Sequence, residues 1–165
     1  MPESNPHSTA RVAGHPLHPM IVPFPIAFFI AALVTDLVYV SGGDIGWARG
    51  SMWLLGAGIA MALLAAVLGF TDFMGERRIR RLRHAWFHMI GNLVAVVLAA
   101  ANFVVRAQSG PEAAASGVGL GLSILVAALL LFNGWMGWEL VYHHHVGVSD
   151  ETPPEPEGAV RARSR

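Results

Sequence analysis

Residues 118–132 read VGLGLSILVAALLLF, and Ser123 is the only polar side chain among them. A helix over this run has no polar face to turn toward water, so a soluble four-helix bundle, whose helices each need one, is excluded as its setting. Extended to Val141, the run has the roughly 20 residues that a helix needs to cross the hydrocarbon of a bilayer. Three further stretches have the same length and character: Met20 to Val40, Met52 to Phe73 and Ala85 to Val105. The connections, Ser41 to Gly50, Met74 to His84 and Arg106 to Gly117, are short and carry Gly42-Gly43 and Gly110-Pro111 as turn signals. The reading is an all-α membrane protein: an antiparallel four-transmembrane-helix bundle with short loops and disordered polar termini.

Composition agrees. The chain has 165 residues, 54% hydrophobic and only 13% charged, where a soluble domain carries about a quarter of its residues as charges. Eleven basic residues, all arginine, balance eleven acids. With no net basic field a nucleic-acid partner is excluded. The absence of cysteine removes disulfides, thiolate metal sites and thiol nucleophiles, so any metal must sit on His, Asp or Glu.

Residues 1–14, with Pro2, Glu3, Ser4, Asn5 and Pro6, are too polar to bury a core and read as a disordered tail. Arg11 is the only base ahead of the first apolar run, which is too long for a signal-peptide core, so that span is expected to remain in the mature protein. The four-helix domain is read over residues 15–148. A second disordered tail follows over residues 149–165, rich in proline, acids and arginine.

Arginine placement gives an orientation. The middle connection holds Arg77, Arg78, Arg80, Arg81 and Arg83, and the tails add Arg11, Arg161, Arg163 and Arg165, against Arg49 and Arg106 in the other two connections. By the positive-inside rule the middle connection and both termini are cytoplasmic, in the inner (plasma) membrane of a prokaryote. The lipid bilayer is the first partner, and Arg77 to Arg83 are placed to meet anionic headgroups.

With that topology every histidine but His7 falls at one end of the bundle: His15 and His18 before the first helix, His84 and His88 entering the third, and His143, His144 and His145 leaving the fourth. Asp72 and Glu139 lie in the same layer. Ionisable groups at or within a membrane boundary are expensive, which makes this layer the candidate site. Helical spacing selects faces. Gly58, Ala62, Ala65, Gly69 and Asp72 form one stripe; His84, His88, Asn92, Ala95, Ala99 and Asn102 form another; Ser123, Val126, Leu130, Asn133, Gly137 and His144 form a third. His144 is thereby chosen from its triplet, because neighbouring residues point about 100° apart and leave His143 and His145 interfacial. Prolines hold His15 and His18 in the non-helical segment GHPLHP, residues 14–19. Asp36 and Asp44 lie toward the other end, too far away to join.

One internal echo appears. The first and third helices begin with inward His18 and His88, and the second and fourth end with Asp72 and Glu139, as two hairpins related by a pseudo-twofold axis would.

The run His18-Pro19-x-x-Val22-x-x-Pro25, the following Asp36, Gly69-x-x-Asp72 and His88-x-x-x-Asn92 together resemble the prokaryotic predicted membrane protein family called domain of unknown function 2231, over about residues 14–148. The resemblance implies a small four-span inner-membrane protein of no settled activity. Some relatives are fused to Rieske-type iron–sulfur domains, which implies electron transfer. It marks His18, Asp72, His88 and Asn92.

Three functions follow from the residues. The first is a haem b electron carrier with a redox protein partner, its iron ligated by His88 with His18 or His144. The second is a zinc, iron or manganese site drawn from His15, His18, Asp72, His84, His88 and Glu139, with Asn92 and Asn133 in support. The third is a non-catalytic membrane subunit or scaffold, homo-oligomers included, whose polar residues serve packing and assembly. No nucleophile elbow, phosphate loop or dinucleotide fingerprint names an enzyme or a substrate.

The orientation is open to direct test. A reporter active only outside the cytoplasm should be silent when fused to either terminus, and activity at either end contradicts the arginine argument.

Overall fold

The computed structural model describes residues 5–148; the expected tail over residues 149–165 lies outside the described residues. A two-residue hairpin, β1 (Arg11–Val12) with β2 (His15–Pro16), precedes a one-turn helix α1 (Leu17–Ile21) and the long helix α2 (Pro23–Gly42). The other long helices are α3 (Ile45–Gly75), α5 (Arg83–Ser109) and α7 (Val118–Trp138), with single-turn helices α4 (Arg77–Arg81) and α6 (Pro111–Ala115) in the connections. A π-helical turn (Glu139–His143) extends α7. Four helical segments are long and apolar enough to cross a membrane.

The helix boundaries follow from local chemistry. Gly43 takes the left-handed conformation (φ 74°) and its N–H closes α2 on the Tyr39 carbonyl; Asp44 then caps α3 by accepting from Gly46 N at 2.8 Å. This Gly-Asp pair stops one helix and starts the next, so the connection is shorter than the expected Ser41 to Gly50. In the middle connection Glu76 caps α4 through Arg78 N, and Leu82 separates α4 from α5. The third connection required a correction. Its expected start, Arg106, lies inside α5, which runs on to Ser109, and its side chain is fully buried.

The helices form a ring in which α2 packs most extensively on α3 and α5 on α7, with α3 against α5 and α2 against α7 closing it. Small and polar side chains make up most of the interior, joined by Phe29, Leu55, Val126 and Leu130, while many large apolar ones face out. Ala32, Ala62, Ala65, Ala95 and Ala99 are buried, whereas Leu63, Val67, Leu93, Val97 and Leu131 are exposed. That inversion of a soluble core is the packing expected where lipid, not water, surrounds the bundle. Gly58 shows the closeness achieved: a Cβ there would lie 2.6 Å from the Phe29 ring. All three stripes drawn from the sequence face inward, from Gly58, Ala62 and Ala65 on α3 to Ser123, Val126, Leu130 and Asn133 on α7.

One polar cluster lies deep in this interior, at the end away from the histidines. Arg106 donates from Nη1 to Asp36 Oδ1 at 2.9 Å and from Nη2 to Asp36 Oδ2 at 2.7 Å, with neither side chain exposed. Its remaining N–H groups reach Asn102 Oδ1, Ser51 Oγ and Ser123 Oγ. Every donor of the guanidinium is thus used, and the fork joins α5 to α2, α3 and α7 at once.

Removing one partner of such a pair leaves an uncompensated buried charge, which costs about 3–5 kcal/mol. Arg106→Met or Asp36→Leu alone should therefore lower the unfolding midpoint in detergent sharply, while the double variant should recover most of the loss. Equal losses in single and double variants would show that the ion pair does not hold the bundle.

Candidate functional site: the histidine layer

The histidine end is built from the starts of α1 and α5 and the ends of α3 and α7. His18, expected on a non-helical segment, sits within α1 because Pro16 and Pro19 fall at the start of a single helical turn, where a missing N–H breaks no bond. Its Nδ1 donates to the Ala65 carbonyl at 2.8 Å, and Gly69 lies against the ring, where a Cβ would be 2.8 Å from Cε1. His88, one turn into α5, donates from Nδ1 to the Asn133 carbonyl at 3.0 Å, with Gly137 beside its ring. A carbonyl can only accept, so each Nδ1 carries a proton, and in the neutral form of either ring the lone pair lies on Nε2. The two rings stand edge to face, centroids 6.4 Å apart.

The other candidates are drawn into separate pairs. Asp72 is buried as expected, but its carboxylate accepts from Thr9 N and Ala10 N, both at 2.7 Å, and from the hydroxyls of Ser8 and Thr9. His84 Nδ1 lies 3.1 Å from His144 Nε2. Glu139 pairs with His143, one turn on, at 3.4 Å. His15 is exposed on β2. Asn92 donates to the His88 carbonyl and receives a long contact from Asn133 Nδ2, whose Oδ1 is buried with no partner beside Gly91. Within the terminal triplet His144 is half-buried and His143 and His145 are exposed. Among the described residues no group of three or more His, Cys, Asp or Glu side chains is placed to hold a metal ion.

Asp72 also corrects the N-terminal reading. From Asn5 onward the segment expected as a loose tail is part of the fold: Ser8 is 4% exposed, Gly147 N donates to the Pro6 carbonyl, and Ala13 and Gly14, both at positive φ, turn the hairpin. Composition judged the segment by its lack of apolar surface, whereas a buried carboxylate anchors it through charge-assisted hydrogen bonds.

The Asp36–Arg106 cluster is absent from the sequence expectations, which place Asp36 apart from the site and Arg106 in a connection. Arg106, expected in the third connection, lies one turn beyond Asn102 on the inward stripe of α5, and that spacing is the sequence signal for its burial.

A four-span helical bundle with a small-residue interior and polar layers near both ends defines an integral membrane protein. The chain belongs to the predicted membrane protein family DUF2231, which it matches over residues 14–150. No curated protein and no solved structure matches it.

The role of Asp72 gives a prediction. Hydrogen bonds to a charged acceptor contribute about 1.5–3 kcal/mol each, so Asp72→Ala should release residues 5–16 and speed tryptic cleavage at exposed Arg11 by about tenfold or more. Unchanged cleavage would mean that the segment docks without the carboxylate.

Proposed function

We propose that the protein holds a haem b group between His18 and His88 and serves electron transfer within the membrane. The observation that carries this reading is the pair of Nδ1 hydrogen bonds to backbone carbonyls. A histidine that ligates a metal through one nitrogen usually donates its other N–H to a carbonyl or carboxylate, which fixes the tautomer and the ring orientation. Both rings are held in this way.

The donor set discriminates among ligands. A zinc, iron or manganese ion bound by protein alone needs three or four side-chain donors, and among the described residues His18 and His88 have no third beside them. Haem asks for only two, because the porphyrin supplies the equatorial nitrogens. A metal lies about 2 Å from a ligating imidazole nitrogen, so rings 6.4 Å apart are near enough to share one. His144, the alternative partner of His88, has its Nε2 engaged by His84 and is the poorer choice. When bound, haem supplies a one-electron couple. The chain's own residues orient the imidazoles through Ala65 and Asn133, and the Ser8–Ala10 segment on Asp72 covers this end of the bundle.

In this reading both termini are cytoplasmic in a prokaryotic inner membrane. The split rests on one outer arginine fewer than the sequence count, since Arg106 is buried in the bundle. Exposed Arg77, Arg81 and Arg83 are free to meet anionic lipid, each contributing about 1 kcal/mol near such a surface, and a soluble redox protein is the expected electron partner.

A second reading, a non-catalytic subunit, is favoured by one observation: Asp72, His84, His144 and Glu139 are satisfied by neighbours in the chain. There the two histidines serve only as interhelical ties, each contributing about 1 kcal/mol or less.

The optical spectrum of the full-length protein separates the two. The haem reading expects a Soret band that is lost in His88→Ala and kept in His145→Ala, both variants inserted and monodisperse. Equal haem content in the two, or a colourless protein that takes up no added haem, overturns it.

A further inference from the structure

His18 and His88 are held by the same device. In each case Nδ1 donates to a carbonyl of the neighbouring long helix, and a glycine one turn further on lies against the ring: Ala65 and Gly69 for His18, Asn133 and Gly137 for His88. The histidines differ by 70 positions, as 18 and 88; the carbonyls and glycines differ by 68, as 65 and 133 and as 69 and 137.

The same two shifts carry the rest of the interior. A shift of 70 takes Pro25, Phe29, Ala32 and Asp36, the buried residues of α2, onto Ala95, Ala99, Asn102 and Arg106, all buried on α5. A shift of 68 takes Ser51, Leu55, Gly58, Ala62 and Ala65 of α3 onto residues 119, 123, 126, 130 and 133 of α7, again all buried. Buried stripes with helical spacing coincide at several shifts, so the stripes alone decide nothing. Hydrogen bonds fix the register. Ser51 of α3 donates to the Ala32 carbonyl of α2, and the shifted positions 119 and 102 are again joined, with donor and acceptor exchanged: Asn102 of α5 donates to the Gly119 carbonyl of α7. The helix contacts have the same symmetry, α2–α3 matching α5–α7 and α3–α5 matching α7–α2.

We infer that the bundle is two copies of one helical hairpin related by a two-fold axis, and that His18 and His88 are equivalent halves of a single site on that axis. The inference rests on the two-histidine reading and narrows it. The ligand is a metal centre with two like open positions, one for each imidazole, and not a centre held mainly by one histidine. Gly69 and Gly137 are its positioning residues. The acids at the histidine end do not share the symmetry: the shift of 68 carries Asp72 onto Leu140, and Glu139 makes a different contact. At the far end the equivalent positions hold opposite charges, Asp36 and Arg106, 70 residues apart, so the two halves close on each other and not on a second copy of themselves.

The test uses the full-length protein in detergent, labelled with nitrogen-15 histidine and titrated with haemin. Before haemin, the assigned His18 and His88 signals should both report the Nδ1-protonated tautomer; different tautomers overturn the two-fold equivalence. On titration the unaltered protein should give a low-spin, two-imidazole spectrum. His18→Ala and His88→Ala should each abolish that spectrum and weaken binding to within about threefold of each other. Gly69→Ala and Gly137→Ala should each weaken binding or shift the spectrum while the protein remains inserted. Retention of the low-spin spectrum in one histidine variant alone overturns the equivalence and leaves haem binding standing. If the unaltered protein binds no haemin, the proposed function falls, and the tautomers alone then decide the two-fold relation.

Discussion

The bidentate pair between Arg106 and Asp36 constrains everything else in this bundle. A charged side chain placed alone at the middle of a span costs on the order of 3 kcal/mol or more, and here two such side chains are wholly buried. Their burial is tolerable only because every guanidinium N–H has an acceptor and because Ser123 also donates to Asp36 Oδ2. Those partners come from α2, α3, α5 and α7, so satisfying one arginine fixes the relative height and rotation of all four long helices. Changing the register of α2 or α5 strands a charge in an apolar setting, and changing that of α3 or α7 leaves a guanidinium N–H without its acceptor.

That register is what positions the histidine layer. With α5 held at Arg106, His88 falls at the height of the Asn133 carbonyl on α7. With α2 held at Asp36, the short helix before it brings His18 to the Ala65 carbonyl on α3. The small residues between the two ends allow close approach, since a Cβ at Gly58 or Gly69 would strike Phe29 or His18. Large side chains are left to face lipid, including tryptophans near both ends such as Trp53 and Trp135, where their rings suit the membrane interface.

Much of this was legible from residue order. Span lengths and inward stripes follow from a 100° step and an apolar setting, and they agree with the burial of Ala62, Ala95 and Leu130. Partner choice was not legible. Spacing put Asp72 and His88 in one layer, but nothing local told that the Asp72 carboxylate would be taken up by Ser8, Thr9 and Ala10, more than sixty positions earlier. Arg106 was misread for a related reason: near the end of a span, a charge that snorkels outward and one that turns inward have the same sequence, and only a partner on another helix decides between them. The echo of His18 and His88 was visible, while the matching hydrogen bonds that give it a register were not.

In this account the ion pair sets the register at one end and the two histidines exploit it at the other, around an axis that relates Asp36 to Arg106. The most direct measurement exchanges the charges. Asp36→Arg and Arg106→Asp should each alone prevent a monodisperse, helical protein, because each places like charges together in the interior. The double exchange restores opposite charges at equivalent positions and should return most of the unfolding midpoint measured in detergent. Single exchanges that unfold at the midpoint of the unaltered chain would contradict the account at its foundation.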